Sequence, residues 1–567
     1  MLNQNIWNAD MGDGTYRNPI LYADYSDPDA IRVGEDYFMI SSSFTNTPGL
    51  PLLHSKDLVN WKVVNYLIKN VPTDRYAEPV HGCGVWAPAI RYHEGTYYVF
   101  FPMPDEGIYV IQTKDPFGEW SEPFNIRPAA GWIDPCPFWD EDGRAYMVAG
   151  VAKSRIGYKS VLHMVEMRPD CSGLIGPEVK VFDGNENDQV TIEGPKLYRR
   201  NGWYYIFAPA GGVKTGWQTV LRSRDIFGPY EYKVVMRQED SAVNGPHQGA
   251  WVDTVTGEDW FLHFQDVYAA GRITHLQPMC WKEDWPIIGE PVEGKDYGRP
   301  VEVYRKPDVG PVDWPVCEPA ASDDFTGEKL GLQWQWNANV TGDWYTLTGE
   351  ELQLNAVPTK EDCPYGDLPN LLLQKWPAPE FICETEMDLS HLKSGDEAGV
   401  ISMGMEYGVL VFRKEEDGYA VSFMTGRQKY GAILCESTKE SGKKLGMLSG
   451  GSLLHGSEPG DCHADIAADT CHTDTAAAAS RNAQGDVVRV LYQVKRTGLQ
   501  DLNENEKNFP LEEVSLSYST DGHTYIQAGT VKAAPGRWVG VKNGPFCVRR
   551  QDGEGGYLLV KSVEYSR

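Results

Sequence analysis

The sequence predicts an all-β protein with two domains, a five-bladed β-propeller followed by a β-sandwich. Within the first 306 residues, five similar units of short aromatic strands begin near residues 27, 87, 134, 193 and 247. A repeat of about 50 residues is typical of a propeller, in which each unit is one four-stranded blade. After residue 323, short alternating strands recur without that period, which favours a sandwich of two sheets.

Each propeller unit has the pattern of a β-hairpin. A first strand runs into a turn of Gly, Asp, Glu or Asn and returns as an aromatic strand. In chain order the segments are SDPDAIRVGEDYFMI, WAPAIRYHEGTYYVFF, IDPCPFWDEDGRAYMV, IEGPKLYRRNGWYYIF and PHQGAWVDTVTGEDWFLHF. We expect these hairpins to supply the innermost strands of the blades, which line the central channel.

Three of the five units carry an acidic residue near the start of the first strand. These residues are Asp27, Asp134 and Glu193, and the other two units carry Ala87 and His247. Because equivalent positions of different blades converge on the propeller axis, we expect the three carboxylates to face one pocket. An Asp that precedes Pro also suits a turn, so a purely structural role stays open for any one of them.

A Pro-rich connector separates the two domains. The segment KPDVGPVDWPVCEPAAS runs from Lys306 to Ser322. We therefore place the propeller at residues 1–306, a linker at 307–322 and the sandwich at 323–567. The last sandwich strands are predicted to be EVSLSYSTDG, YIQAGTV, WVGVKNG and YLLVKSVEY. Residues 439–485 lack periodicity and are rich in Gly, Ser, Ala, His and Asp, which indicates a long inserted loop.

The composition excludes several classes of partner. With 80 acidic and 52 basic residues, the net charge is −28, which argues against nucleic acid and anionic membranes as partners. No apolar run approaches the roughly 18 residues of a membrane span. The opening segment MLNQNIWNADMGDG lacks the charged start and the apolar stretch of a signal peptide, so we expect a cytoplasmic protein.

The cysteines favour reduced thiols over a disulfide framework. Their number is 11, which is odd, and their spacing is irregular. Cys462-His463 and Cys471-His472, with His455 nearby, could ligate zinc. Their spacing matches no standard zinc pattern, so a solvated insertion is the favoured interpretation of this segment.

Carboxyl groups that converge on one pocket suit the hydrolysis of a glycosidic bond. One ionised carboxylate activates water, and one protonated carboxyl donates its proton to the leaving oxygen. A third carboxylate placed about 6 Å from the donor would cost the donor's ionised form roughly 3 kcal/mol, or about two pKa units, at an effective dielectric of about 20. The third acid would thereby keep the donor protonated near neutral pH.

The motifs resemble those of glycoside hydrolase family 43. The segments that carry the resemblance are SDPD at Asp27, GVWAP at Trp86, IDPCPFWDEDGRAY at Asp134, TIEGPKLY at Glu193 and GRITHLQPMCWKEDWP at Arg272. The resemblance implies a five-bladed propeller that hydrolyses β-xylosides, α-L-arabinofuranosides or arabinans with inversion. SSSFTNTPGLPLLHSKDLVNW and LQWQWNANVTGDWYTLTGEELQL are similar to the members with a C-terminal concanavalin-like jelly roll, many of which are β-xylosidases or arabinofuranosidases.

Carried over residue by residue, the resemblance implies a role for each acid. Asp27 matches the general base, Glu193 the general acid, and Asp134 the residue that tunes the pKa of that acid and orients it. No cofactor is required by this chemistry. A structural calcium or other cation near the propeller axis or in the sandwich is a further expectation.

The resemblance also implies the residues of the sugar subsite. Phe44, Trp86 and Arg272 match positions that line it, and His247 matches a histidine that in some members helps to hold a metal ion through water. From the residues alone, Phe44 and Trp86 suit core packing equally well, and His247 suits a buried core histidine. A cation beside an acid cluster is usually paired or binds sugar hydroxyls, which favours a functional Arg272.

These observations predict an inverting, exo-acting glycoside hydrolase that releases terminal xylose or arabinofuranose from hemicellulose-derived oligosaccharides. The alternatives are an endo- or exo-arabinanase of the same family and a non-catalytic carbohydrate-binding propeller, which the presence of all three acids disfavours. A fructoside hydrolase on the same propeller is disfavoured because its proton donor sits beside a cysteine, whereas Gly194 and Pro195 follow Glu193. The expected partners are xylo- or arabino-oligosaccharides. The sequence leaves the preferred sugar and a homo-oligomeric state open.

Overall fold

The computed structural model describes residues 6–431, 435–449, 452–454, 486–499 and 510–567. These residues form an almost entirely β structure with a five-bladed propeller and a β-sandwich, which confirms the predicted fold class. No helix in these ranges is long and apolar enough to cross a membrane.

Each blade is an antiparallel sheet of four strands that follow one another in the chain. The hairpins predicted from the sequence supply the first two strands of each blade, and the first strand lies nearest the axis. The strand bounds are Asp29–Val33, Asp36–Ile40, Gly49–Ser55 and Lys62–Ile68 in blade 1; Ala89–His93, Thr96–Met103, Gly107–Thr113 and Phe124–Arg127 in blade 2; Trp132–Trp139, Ala145–Val151, Val161–Met167 and Leu174–Asp183 in blade 3; Lys196–Arg200, Trp203–Ala210, Trp217–Ser223 and Glu231–Met236 in blade 4; and His247–Asp253, Asp259–Asp266, Arg272–Lys282 and Trp285–Ile288 in blade 5.

The N-terminal segment closes the ring of blades. Its strand Thr15–Arg17 pairs with Val303–Arg305 at the end of the propeller. Leu21 exchanges backbone hydrogen bonds of 3.3 and 3.2 Å with Thr274, in the third strand of blade 5. The segment that leads to the first predicted acid is therefore fixed to the strand that begins with Arg272.

The sandwich is made of two sheets, which have ten and seven strands in the described residues. Along the larger sheet the strands are Gln335–Trp336, Leu372–Lys375, Lys542–Arg549, Asp396–Met403, Glu406–Glu415, Gly418–Tyr430, Ser441–Ser449 and Ser452–Leu454, with Val357–Pro358 and Cys435–Ser437 paired at its side. Along the smaller sheet they are Tyr345–Leu347, Leu352–Asn355, Tyr557–Ser566, Phe381–Asp388, Val487–Leu499, Pro510–Ser519 and Ile526–Lys532.

Helical structure is confined to single turns. The described residues contain one short α-helix, Lys153–Ile156, and 3-10 turns at Asp74–Ala77, Tyr268–Ala270 and Tyr365–Asp367. Two short strands, Glu290–Pro291 and Gly298–Arg299, extend the outer edge of blade 4. The α-helical turn and Tyr268–Ala270 both lie in loops that border the mouth of the propeller.

Two predictions about the sandwich strands are wrong. Trp538 to Val541, the first half of the predicted strand WVGVKNG, form a loop, and the strand begins at Lys542. Gly540 packs so closely on the propeller that an added Cβ would lie 2.7 Å from the oxygen of Ala270, so contact between the domains overrides the strand pattern. Ser441–Ser449 was predicted as loop but is a strand, because it pairs antiparallel with Gly418–Tyr430.

The rest of the predicted insertion, apart from Ser452–Leu454, lies outside the described residues. The same holds for the two Cys-His pairs and the histidine considered as zinc ligands. All nine cysteines in the described ranges are free thiols. Within those ranges no three His, Cys, Asp or Glu side chains come together in a group able to hold a metal ion, and the expected cation stays a prediction.

The two domains share one apolar core. Trp334 and Trp336, near the start of the sandwich, are 1% and 3% exposed. They belong to the same apolar cluster as Tyr22 and Ile273 of the propeller. Thr47 and Trp336 also exchange backbone hydrogen bonds of 3.0 and 2.6 Å across the domain boundary. The sandwich is thus docked through its core.

A chain truncated after Pro315 should be insoluble, or if soluble should lose about hundredfold or more in kcat/KM, because truncation exposes the shared core and frees the loops it positions. Expression, gel filtration and kinetics of residues 1–315 beside the full chain test this. The fragment 320–567 should bind xylan weakly if at all. A soluble, fully active propeller together with tight polysaccharide binding by the fragment would contradict the expectation.

Candidate active site

One pocket at the mouth of the propeller channel brings together the three predicted acids and the three predicted subsite residues. Its cavity has a volume of about 220 Å³. This is below the roughly 300–1,000 Å³ of pockets that take drug-sized ligands, so the cavity suits a single small ring. The lining residues are Asp27, Phe44, Trp86, Ala87, Ile133, Asp134, Val151, Ala152, Lys153, Ser154, Lys159, Glu193, Gln248, Arg272 and Trp538.

The acids do not all occupy the same position of the repeat. Asp27 and Asp134 both precede a proline and both have left-handed backbone, with φ of 56° and 55°. In blade 4 the residue before the proline is Gly194, with φ of 60°, so Glu193 stands one residue earlier than the repeat predicted. Non-glycine residues in this conformation are uncommon and collect at functional sites. Aligning the units on their prolines would have shown the shift.

Asp27 is held by two donors. The carboxylate is 3% exposed. Its Oδ1 accepts a hydrogen bond from Arg272 Nη1 at 2.9 Å, and its Oδ2 accepts one from the hydroxyl of Ser42 at 2.5 Å. Each oxygen is therefore fixed in place while keeping a second lone pair. Ser42 could not be predicted from the sequence, where it is one of three consecutive serines after a strand.

Asp134 is buried among groups that disfavour its charge. It is 2% exposed, and its Oδ2 accepts hydrogen bonds from the Gly194 N–H at 2.8 Å and from Gln248 Nε2 at 3.3 Å. Burial, followed by repulsion from Glu193 and from Asp27, raises the pKa of Asp134 to about 8. Burial and the two neighbouring carboxyls therefore favour the protonated form of Asp134 in the ligand-free protein.

Glu193 pairs with His247. The Nε2 atom of His247, which is fully buried, lies 2.8 Å from Oε1 of Glu193. Burial raises the pKa of Glu193, but the hydrogen bond and charge of His247, with Arg272 and Lys159, outweigh burial and lower it below its ordinary value. His247 was predicted as a metal-associated residue, and the structure places it against the predicted acid.

Two aromatic walls of the pocket are set by one stretch of backbone pairing. Phe44, with φ of 52°, exchanges hydrogen bonds of 2.8 and 3.0 Å with Val85. Trp86 follows Val85 directly, and its indole N–H donates to the oxygen of Gly82 at 3.1 Å. A Cβ on Gly84 would lie 2.3 Å from the oxygen of Phe44, so only glycine permits this approach. Phe44 and Trp86 thus belong to the pocket.

The sandwich supplies a third aromatic wall, Trp538, which the sequence analysis missed. Its ring lies 6.2 Å from that of Trp86 at an angle of 67°, in an edge-to-face arrangement. The guanidinium carbon of Arg272 lies 5.7 Å from the Trp538 ring and 4.8 Å from that of Phe264. The flanking glycines in GRWVG were the available signal for a loop at this point. Both domains therefore build the pocket.

The side of the pocket near Glu193 is cationic. Lys153 and Lys159 are exposed and line its rim. Lys159 donates a hydrogen bond of 2.9 Å to the hydroxyl of Thr191, two residues before Glu193. Because lysines are common on protein surfaces, the position of these two at the pocket could not be predicted from the sequence.

Comparison with known proteins connects this geometry to a family. Residues 16–286 match the model for glycosyl hydrolases family 43, and residues 322–445 match that for the beta-xylosidase C-terminal concanavalin A-like domain. The first match contains the three acids and all the subsite residues predicted from the sequence. Trp538 lies beyond both matches.

Three relatives show the extent of the similarity. A protein of Xylanibacter ruminicola is 42% identical over 62% of this chain and 64% of its own length, so the chain spans just under two thirds of that protein. A beta-xylosidase of Formosa agariphila is 32% identical over 77% of each chain. A non-reducing end alpha-L-arabinofuranosidase of Bacteroides ovatus is 27% identical over 78% of this chain and 84% of its own.

Asp134→Asn should shift the alkaline limb of the pH profile of kcat/KM to lower pH. Without the second carboxyl, Glu193 titrates alone beside His247, which lowers its pKa, so the required proton is lost earlier. Activity at neutral pH should fall about tenfold or more.

The matched variant His247→Leu removes the donor that stabilises ionised Glu193, and its alkaline limb should shift to higher pH. Both profiles can be measured on one aryl glycoside. An unchanged or raised limb in Asp134→Asn would mean that Asp134 does not govern the proton of the pair.

Proposed function

We propose, since the chain belongs to glycosyl hydrolases family 43, that it releases terminal xylose or arabinofuranose from short hemicellulose-derived oligosaccharides. Members of this family are inverting glycoside hydrolases, and the chain is a glycoside hydrolase. One observation carries the finer proposal: three carboxyls with different partners, two of them buried and Glu193 partly exposed, line one small cavity that Trp538 also lines.

Asp27 acts as the general base. Arg272 and Ser42 fix both of its oxygens, so a free lone pair has a defined direction toward a water molecule. The water oxygen bonds to the anomeric carbon as the glycosidic bond breaks, and the water proton passes to Asp27. Attack from the face opposite to the leaving oxygen inverts the configuration.

Glu193 acts as the general acid and needs a proton when the bond breaks. In the ligand-free protein Asp134 holds the extra proton of the pair. A glycosidic oxygen that enters the pocket has lone pairs only, so it repels an ionised Glu193 and forms a hydrogen bond with a protonated one. Substrate binding therefore favours the proton on Glu193, which transfers it to the leaving oxygen. Asp134, then ionised beside Glu193, keeps that proton in place until transfer.

The walls of the pocket support an exo mode. A cavity of about 220 Å³ closed by Trp86 and Trp538 leaves room for one terminal ring beyond the scissile bond. Lys159, which is bonded to Thr191 two residues before Glu193, lies on the side where the leaving group must stand, and its ammonium group can bind hydroxyls of that group. An arabinanase acting within a chain needs a cleft open at both ends, which the Trp538 wall disfavours.

Both terminal sugars stay within the proposal. Relatives of this chain are named as a beta-xylosidase and as an alpha-L-arabinofuranosidase. Xylopyranose and arabinofuranose present similar hydroxyls, and the described pocket offers the same aromatic and cationic neighbours to either ring.

The full chain should hydrolyse xylo-oligosaccharides or arabino-oligosaccharides from the non-reducing end and yield a first-formed sugar of inverted configuration. For a β-xyloside this product is α-xylose, which proton NMR distinguishes before mutarotation. A β-configured first product from the β-xyloside would overturn the assignment of Asp27 as base, and release of internal fragments would overturn the exo mode. Binding of these sugars without hydrolysis would favour a carbohydrate-binding protein.

Asp27→Ala should lower kcat by about 10²- to 10⁴-fold on every substrate, since no other carboxyl in the pocket is placed to activate the water. Glu193→Ala should retain far more activity on an activated aryl glycoside than on a natural oligosaccharide, because a good leaving group needs little proton assistance. Kinetics of both variants on both substrates separate the roles. Equal losses for Glu193→Ala on the two substrates would remove it from the acid role.

A further inference from the structure

A single buried carboxylate joins the two domains directly beneath the pocket. Asp24 is 5% exposed and lies three residues before Asp27. Its Oδ1 accepts the backbone N–H of Arg272 at 2.9 Å, and its Oδ2 accepts the backbone N–H of Gly540 at 2.8 Å. One oxygen thus holds the propeller and the other holds the sandwich.

The two segments that meet at Asp24 touch backbone to backbone. The N–H of Val541 donates to the oxygen of Ala269 at 2.7 Å. A Cβ on Gly271 would lie 2.6 Å from Oδ1 of Asp24, and one on Gly540 would lie 2.7 Å from the oxygen of Ala270. No side chain separates the segments, so a shift in one must displace the other. We call residues 269–272 and 540–541 the seam.

Each segment of the seam leads at once to a wall of the pocket. Arg272, whose N–H is bound to Asp24, carries the guanidinium that contacts Asp27 at 2.9 Å. Trp538 stands two residues before Gly540 and lies edge-on to Trp86. The hydrogen bonds to Asp24 therefore hold the backbone at Arg272 and close to Trp538, the two residues whose side chains form the cation and the outer aromatic wall of the pocket.

The charge of Asp24 also has partners in the seam region. Lys375 and Lys542, both from the sandwich, lie nearby; Lys375 is half-buried and Lys542 is 5% exposed. Burial, with repulsion from Lys375, lowers the pKa of Lys542 to about 7, and Asp24 opposes that shift. Lys542 also donates a hydrogen bond to Asn46 of the propeller. Asp24 therefore places a carboxyl group beside these two lysines at the domain contact.

We propose that Asp24 is a positioning residue for hydrolysis, which aligns Arg272 and Trp538 with each other so that the pocket has its working shape only when the domains are docked. The inference rests on the proposed function, because it assigns Asp24 a role in that same site. Asp24 is not among the residues that line the pocket, and it acts through the two walls it holds.

Asp24→Asn tests this, because an amide offers one acceptor oxygen and must place an N–H group against one of the two N–H donors. We expect kcat/KM on an aryl xyloside or arabinofuranoside to fall about tenfold or more, which corresponds to about 1.4 kcal/mol. The wild-type chain is assayed first, so an inactive wild type would refute the proposed function and leave the positioning role to be judged by substrate affinity.

The matched control is Asn339→Ala. Asn339 is a buried sandwich residue that accepts the N–H of Val71 and donates to its oxygen, both at 2.8 Å, and neither residue lines the pocket. The control therefore also removes hydrogen bonds between the domains, and it should keep kcat/KM within about twofold. Urea midpoints of both variants show whether their losses of stability match. Equal activities at equal stability would overturn the proposal.

A double-mutant cycle separates positioning from stability. In a Trp538→Ala background, Asp24→Asn should lower kcat/KM by a smaller factor than in the wild type, because one of its two routes is already gone. The same factor in both backgrounds would contradict the proposal. If Asp24→Asn does not fold, Gly540→Ala serves, since its Cβ would press the loop away from Ala270 and should give a similar loss. Wild-type activity in Gly540→Ala would equally overturn it.

Discussion

Repulsion among three carboxyls that converge on one pocket is the constraint on which the rest of the proposed active site depends. Asp27, Asp134 and Glu193 meet in one small cavity, where burial strengthens every interaction between charges. The structure answers with different partners for each acid. Arg272 and Ser42 stabilise the charge on Asp27, and Asp134 takes a proton. Different neighbours thereby suit three similar side chains to the proposed roles of base, acid and proton reserve.

The second domain belongs to this arrangement. A cavity at the mouth of a propeller is open on one side, and Trp538 closes part of that side from the sandwich. The shared apolar core supplies most of the docking contact, whereas the seam at Asp24 sets where the walls stand. Selection for a pocket that accepts one terminal ring would act on both domains together. The sandwich therefore contributes one wall of the proposed binding site.

Much of the fold and part of the site could be predicted from the sequence, because their causes are local. Period-two alternation and hairpin turns define the blades, and ring closure then brings Asp27, Asp134 and Glu193 to one axis. Phe44, Trp86 and Arg272 also lie in the pocket as predicted. The catalytic roles came from resemblance and stay predictions until the variants are assayed.

What the sequence did not predict depends on contacts between distant segments. Trp538 lies in a stretch whose alternation suits a strand, and only docking against Ala270 makes it a loop. The pKa of Glu193 depends on its hydrogen bond with His247, and these two residues belong to neighbouring blades. The prediction that Glu193 shares the repeat position of the other two acids is wrong. The prolines mark the backbone register of the repeat, and Gly194, not Glu193, stands before the proline in its unit.

The proposed arrangement of one terminal sugar ring, the general acid and an attacking water can be observed in a crystal structure of the Glu193→Gln variant with a bound xylo- or arabino-oligosaccharide. We expect one terminal ring enclosed between Trp86 and Trp538, with the scissile oxygen at residue 193. A water molecule should be held by Asp27 on the opposite face of the anomeric carbon. A retaining site would instead place Asp27 against the anomeric carbon with no room for water. That result would contradict the inverting mechanism, and a sugar chain that extends past the position of Trp538 in both directions would contradict the exo mode.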